Sequence, residues 1–280
     1  ATALAWAVKA IGGGTMTSND HIASVKHGDG SSGRKNGHGE VFDVDQGSRI
    51  STSFMSRMNG DPRKTRLFMR NADKNQDAAN LIGMKNGLKN DPYTSLDGID
   101  IPAAGDTTVY AMAATELQSI TAPMVFQTYA EVEFLKAEAA IRGWISTSDK
   151  DHYEAGVTAG MQMLEGIYGT TPITGAEIST FLAGDGAYKA DGSVAERWEQ
   201  VMDQYFIATY LNEYEAYANW RRSGFPNITA TRHPGSYTNG QFMVRMIYPT
   251  AESGSNAANY AAAVANQGPD SYTTSLWWDK

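Results

Sequence analysis

SVAERWEQVMDQYFIATYLNEYEAYANWRRSGFPNI, residues 193–228, reads as one long aromatic helix with both ends written into the sequence. Ser193 followed three residues later by Glu196 is a capping-box pattern, in which hydroxyl and carboxylate satisfy backbone N–H groups that a first helical turn leaves unpaired. At the other end, Gly224 can adopt the left-handed conformation that closes a helix. Arg221 and Arg222 suit the negative end of the helix dipole, and Pro226 cannot continue the helix. Roughly thirty residues at 1.5 Å each predict a rod about 45 Å long. Its apolar residues fall on two overlapping stripes, Trp198, Met202 and Tyr205 on one and Ile207, Leu211, Tyr214 and Ala218 on the other, so the helix is expected to pack on more than one side. This is the pattern of a central helix in a mainly α domain.

Working outward, FQTYAEVEFLKAEAAIRGW (126–144) carries Tyr129, Phe134, Ala137 and Ile141 at helical intervals among good helix formers. A short STSD link leads to HYEAGVTAGMQMLEGIYG (152–169), which predicts an antiparallel helical hairpin. Thr174 and Glu177 repeat the capping-box spacing ahead of a short helix ending near Gly184. On the N-terminal side, the first residues read as the end of a helix stopped by Gly12-Gly13-Gly14. Residues 12–47, with GDGSSGRKNGHGE at their centre, read as a glycine-rich surface loop. Ser51 to Asn59 reads as a short helix ending at Gly60, followed by an Asp61-Pro62-Arg63 turn. Residues 48–121 are loop-rich as a whole, residues 122–228 form the helical core, and residues 229–280 form a closing segment of one domain spanning 1–280. In that closing segment Phe242 to Tyr248 predicts a strand, and Asn256 to Asn266 a helix closed by Gly268.

A chain of 280 residues with a mean hydropathy of −0.40 can bury a substantial core. No stretch supplies the eighteen or more consecutive apolar residues of a membrane-spanning helix. The formal charge of −8 argues against nucleic acid as main partner, because phosphate binding rests on clustered Lys and Arg. Cysteine is absent, which excludes disulfides, thiolate metal sites and a thiol nucleophile. The N-terminus has no charged-then-apolar export pattern.

Several motif-like patterns lack the context their chemistry needs. Gly28, Gly30 and Gly33 match GxGxxG, yet no convincing strand precedes them and no helix follows. Asp73-Lys74-Asn75-Gln76-Asp77 begins like a calcium loop, but Ala78 stands where the sharp-turn glycine belongs and Met84 where the bidentate glutamate belongs. His21, His27 and His38 are not spaced as two ligands on one helical face, and no HExxH exists. No metal and no cofactor is therefore expected. Glu131, Glu133 and Glu138, or Glu213 and Glu215, are the carboxylates from which a helical glycoside hydrolase would draw an acid and a base or nucleophile. No GxSxG and no serine with recognisable histidine and acid partners is present.

Four ordered blocks carry a family resemblance. FMSRMNGDPRKTRLF (54–68), TYAEVEFLKAEAAIRGW (128–144) with Ala137-Glu138-Ala139 at its core, YFIATYLNEYEAYANWRRSGFPNI (205–228), and RMIYPTAESGSNAANY (245–260) followed by SLWWDK (275–280) resemble the SusD/RagB family of outer-membrane nutrient-binding lipoproteins. The resemblance implies a mainly α fold: a tetratricopeptide-like helical scaffold with a loop-rich ligand-binding subdomain, here resembling the C-terminal portion of a longer protein. It further implies capture of a glycan or oligosaccharide at the outer membrane and its delivery to a TonB-dependent (SusC-like) transporter, without covalent chemistry. Peptide capture is the alternative within the binding class. The implied setting is the surface of a Bacteroidetes-type bacterium, with a lipid anchor that this sequence does not contain.

Sugar binding in such a protein would rest on aromatic rings against apolar sugar faces, with loop amides and carboxylates bonding to hydroxyls. Tyr93, Tyr188 and Tyr237 lie in turn-rich segments, with Asp91, Asp185 and Asn239 nearby as polar partners, and are the candidate ligand-binding residues. Trp144 and the pair Trp277-Trp278 read as structural anchors.

Overall fold

The computed structural model describes residues 2–31, 33–44, 47–89, 95–96, 99–100, 102–233 and 235–279, with backbone only at 95–96 and 99–100. It is mainly α-helical. In chain order the helices are α1 (Thr2–Gly12), α2 (Gly37–Val44), α3 (Thr52–Met55), α4 (Lys64–Leu67), α5 (Tyr129–Ile141), α6 (Asp149–Tyr168), α7 (Gly175–Ala183), α8 (Val194–Ala208), α9 (Glu213–Ser223), α10 (Glu252–Ser255) and α11 (Ala257–Gln267). Short strands β1 (Ala23–Val25), β2 (Phe68–Arg70), β3 (Ser95–Leu96), β4 (Ile99–Asp100), β5 (Ala111–Ala113) and β6 (Met124–Gln127) form three antiparallel pairs, β1 with β6, β2 with β5 and β3 with β4. The chain divides into two compact units, residues 1–84 with 106–227 and residues 85–105 with 228–280.

The first unit is built on α5, which packs against both α6 and α8. α5 starts with a full capping box between Thr128 and Glu131, and α7 and α8 start likewise at Thr174/Glu177 and Ser193/Glu196. The hairpin of α5 and α6 is present as the periodicity predicts. Gly156 of α6 lies so close to the Phe134 ring that an added Cβ would come within 2.6 Å of it, which sets the separation of the two helices. Around them Phe134, Tyr153, Val157, Val201, Met202 and Tyr205 form a continuous apolar core. Phe54 extends it, meeting Phe68 edge-on at 5.6 Å and packing on Phe206 and Tyr210.

The Asp61-Pro62-Arg63 turn is buried rather than exposed. Asp61 accepts from the Arg63 backbone N–H at 2.9 Å and from its Nε at 3.0 Å, and Arg63 also donates to the side-chain amide oxygen of Gln204 on α8. The Arg63 side chain is only 1% exposed, so the guanidinium depends on these partners. One of its nitrogens, Nη1, has no partner and borders a cavity of about 20 Å³, room for a single water.

Residues 193–228 are not one helix. The capping box at Ser193 and the closure at Gly224 (φ 77°) are where the sequence places them, but the rod is interrupted between Ala208 and Glu213. There the Thr209 hydroxyl donates back to the carbonyls of Tyr205 and Phe206, Leu211 adopts φ 68°, and the buried Asn212 amide donates to the Phe126 carbonyl at 3.2 Å. No glycine or proline marks this break, and the Phe126 contact that favours it comes from 86 residues away.

Residues 12–47 are more ordered than a glycine-rich loop. A 3-10 turn at Asn19–His21, strand β1 and helix α2 lie within them. Buried Asn36 organises this segment: its backbone N–H donates to the Ile120 carbonyl at 2.7 Å, its amide donates to the Ala122 carbonyl at 2.8 Å, and its side-chain oxygen accepts from His38 N–H. A Cβ on Gly39 would sit 2.5 Å from the Ser119 carbonyl oxygen, so glycine there permits a direct backbone approach.

In the second unit no strand is found among the described residues 242–248. Asp270 organises that segment instead, accepting from the Tyr248 backbone N–H and from Arg245, both at 3.1 Å. α11 ends at Gly268 (φ 100°) as predicted, with the additional short turn α10 ahead of it.

Candidate functional site

Tyr237, in the second unit, stands on a turn fixed by its neighbours. Ser236 N–H donates to the His233 carbonyl at 3.1 Å, Asn239 N–H to the Ser236 carbonyl at 3.2 Å, and Thr238 N–H to the Ser236 hydroxyl at 3.3 Å. Asn239 (φ 51°) and Gly240 (φ 82°) both take the left-handed conformation, which asparagine and glycine tolerate best. The turn holds the Tyr237 side chain 90% exposed, with the Tyr272 ring beside it at 6.1 Å and 41°. Tyr272 is fixed through its own carbonyl, which accepts from Val244 N–H at 2.8 Å. Asn239 is exposed on the same turn. A tyrosine ring so open to water, with a second ring adjoining and an amide close by, can stack on an apolar face while its neighbours hydrogen-bond to hydroxyls.

The same unit holds a second exposed ring. Trp277 is 82% exposed and borders an open hollow of about 320 Å³ together with Ala263, Asn266, Gln267 and Ser275. Trp278 is also exposed, so the pair departs from the structural-anchor reading. The final aromatic residues follow α11 and gave no periodic signal by which their exposure was legible. Trp144, in the first unit, is half-buried with the Arg142 guanidinium 5.3 Å over its ring.

Tyr188 and Asp185 lie in the first unit. The Tyr188 ring is half-buried on Tyr153, 5.0 Å between centroids, and its hydroxyl donates to Asp149 at 2.8 Å. Burial, and then the Asp149 carboxylate, push its hydroxyl above the usual tyrosine range. Asp185 is exposed with its carboxylate over Gly60, where any Cβ would collide with it. Tyr237 and Asn239 are thus brought onto one turn. Tyr93 and Asp91 lie outside the described residues.

Glu131, Glu133, Glu138, Glu213 and Glu215 are each engaged by a neighbour. Glu138 accepts from both terminal nitrogens of Arg222, each at 2.8 Å, and from Arg142 Nε at 2.8 Å. Glu133 lies 2.5 Å from His152 Nδ1 and accepts from Lys136 at 2.8 Å. Burial raises its pKa, but these bonds together outweigh it and the net shift is downward. Glu215 accepts from the Tyr205 hydroxyl at 2.7 Å, and Glu213 meets His38 at 3.2 Å. Glu131 accepts from Thr128 N–H at 2.6 Å, yet burial pushes its carboxyl up to about 7. These bonds tie α5 to α6 and α9 and α8 to α9. Among the described residues no group of three His, Asp or Glu could hold a metal ion. At the calcium-like segment, the hydrogen bond from Arg70 lowers the Asp73 carboxyl to about 2. No helix is long and apolar enough to cross a membrane among the described residues.

The fold has counterparts among known structures. A chitin-binding protein of known structure aligns at 29% identity and a TM-score of 0.76, over 99% of this chain and 59% of its own. A SusD-like protein from Bacteroidetes AC2a aligns at 26% identity and 0.80, over 98% and 64%. A SusD homologue from Bacteroides thetaiotaomicron shares the fold at 24% identity and 0.74, over 99% and 60%. The chain therefore spans about three fifths of the length of the structures it matches. No curated protein matches its sequence significantly. Residues 1–249 match the model of the SusD-like family described as starch-binding and associating with the outer membrane, and with the helical scaffold and its structural counterparts this places the chain in the SusD-like family.

Proposed function

We propose that this chain is part of a nutrient-binding protein that captures glycans or oligosaccharides at the outer membrane and passes them to a TonB-dependent transporter without covalent chemistry. The observation that carries the reading is the Tyr237 ring, held 90% exposed beside Tyr272 on a turn fixed by left-handed Asn239 and Gly240. Trp277 and its hollow with Asn266 and Gln267 supply a second ring-and-amide combination in the same unit. Such pairings match the amphipathic character of a sugar. A relative that carries the name of a chitin-binding protein supports the ligand class. Tyr237 and Asn239 lead the proposed contacts in the second unit; Tyr188 and Asp185 of the first unit are a separate candidate pair, and the candidates Tyr93 and Asp91 lie outside the described residues.

Titration calorimetry of the chain with maltohexaose and with chitohexaose, repeated on Tyr237→Ala, tests the reading. The variant removes an exposed ring, so folding is expected to be unaffected and affinity to fall about tenfold, or 1.4 kcal/mol. Unchanged affinity would remove Tyr237 from the site. Binding of oligopeptides in place of glycans would favour peptide capture.

A further inference from the structure

A different surface, in the first unit, has the construction of a binding groove. On α6, Glu154, Thr158 and Gln162 are spaced four apart and form one polar row along the helix. Beside them Ala155 and Ala159 are too small to fill the space next to the row. The 3-10 turn at Asn19–His21 closes the other side. Ser18 caps it by accepting from Asp20 N–H, and Asn19 anchors it by donating its amide to the Ala159 carbonyl at 3.0 Å. The result is an open groove of about 600 Å³, with Tyr129 and Leu182 as its apolar surfaces. The side-chain oxygen of Asn19 is buried there without a partner.

We infer that this groove is a second carbohydrate subsite, taking one or two pyranose rings of a neutral glycan. The half-buried Tyr129 ring offers an apolar surface, and Thr158 and Gln162 line the same groove with a hydroxyl and an amide that both donate and accept. Asp20 and Glu154 are the charged residues lining the groove, so an anionic ligand is repelled while sugar hydroxyls find acceptors. A volume of about 600 Å³ lies within the usual range for small-ligand sites. The ligand class rests on the glycan reading above, but the groove shares no residue with the Tyr237 and Trp277 surfaces.

The test is calorimetry with maltohexaose and chitohexaose on four proteins: the unaltered chain, Thr158→Val with Gln162→Ala, Tyr237→Ala with Trp277→Ala, and all four changes together. Gln162 is exposed and Thr158→Val keeps the shape of the side chain, so a thermal midpoint within a few degrees of the unaltered chain is the folding control. The inference expects the α6 pair to remove one class of sites, with at least a tenfold loss of affinity, and expects that class to survive in the Tyr237/Trp277 variant. Identical stoichiometry and affinity for the α6 variant and the unaltered chain would overturn the groove and leave the tyrosine surface standing. Loss of all binding in the Tyr237/Trp277 variant would equally overturn the groove. An unaltered affinity in that variant would instead overturn the tyrosine surface.

Discussion

Replacing Asp61 by alanine should be among the most damaging single changes in the first unit, for a reason that can be worked from the geometry. Asp61 accepts three hydrogen bonds from Arg63, at 2.9 Å from its backbone N–H and at 3.0 and 3.1 Å from Nε, with a further bond from Nη2 to the second oxygen. Both side chains are almost completely withdrawn from water. Removing the acid leaves a guanidinium that cannot shed its charge, with Gln204 as its remaining side-chain acceptor. Breaking a buried pair in this way costs about 3–5 kcal/mol. Against a typical total stability of about 5–15 kcal/mol, this is a large fraction. With a urea slope of about 2 kcal/mol/M, the midpoint should fall by roughly 2 M. Replacing both partners together, Asp61→Leu with Arg63→Met, removes the stranded charge and should recover most of that loss. Urea unfolding followed by far-ultraviolet circular dichroism reads both variants. A shift under about 0.5 M for Asp61→Ala, or a double variant worse than the single one, would refute the claim that the pair's burial is what makes the acid indispensable.

Glu131, pushed up to about 7 by burial, holds a proton in the fold that the unfolded chain, at 4.5, has already lost. The folded state therefore loses about 3 kcal/mol relative to the unfolded chain as pH rises from about 4.5 to about 7. Glu131→Gln, which keeps the acceptor for Thr128 N–H, should flatten that slope in unfolding measured at a series of pH values. His38 has a raised pKa, chiefly through its hydrogen bond with Glu213. Its contribution is full below about 6.5 and is lost as pH rises through the folded value. An NMR titration should show the His38 midpoint fall in Glu213→Gln, and an unchanged midpoint would dissolve the assignment. Gly39→Ala should cost about 1–3 kcal/mol, because its methyl would meet the Ser119 and Ile120 backbone, which cannot rotate away. Hydrogen exchange should show the loss centred on α2, and protection equal to that of the unaltered chain would contradict the close approach.

The sequence by itself determined the helical scaffold, because the information for it is local. Capping boxes at Thr174 and Ser193, the stop at Gly224 and the apolar spacing of residues 126–169 act over a few residues, and all are present in the fold. Ordered blocks of such local signals also made the family legible. Tertiary structure decided what depends on distant partners. The break at Thr209–Asn212 is held by the Phe126 carbonyl, α2 by Ser119, Ile120 and Ala122, and the course of residues 242–248 by Asp270. The candidate surfaces divide the same way. Turn-rich sequence placed Tyr237 among three candidate tyrosines, but the left-handed turn at Asn239 and Gly240 and the exposure of the Tyr237 ring come from the fold. Trp277 and the α6 groove were not legible, because exposure of a tryptophan and the gap beside Ala155 and Ala159 exist only once other segments have packed around them. Backbone and cap interactions within a turn are written in adjacent residues; a surface or a cavity is the difference between what packs and what does not, and only the folded chain contains it.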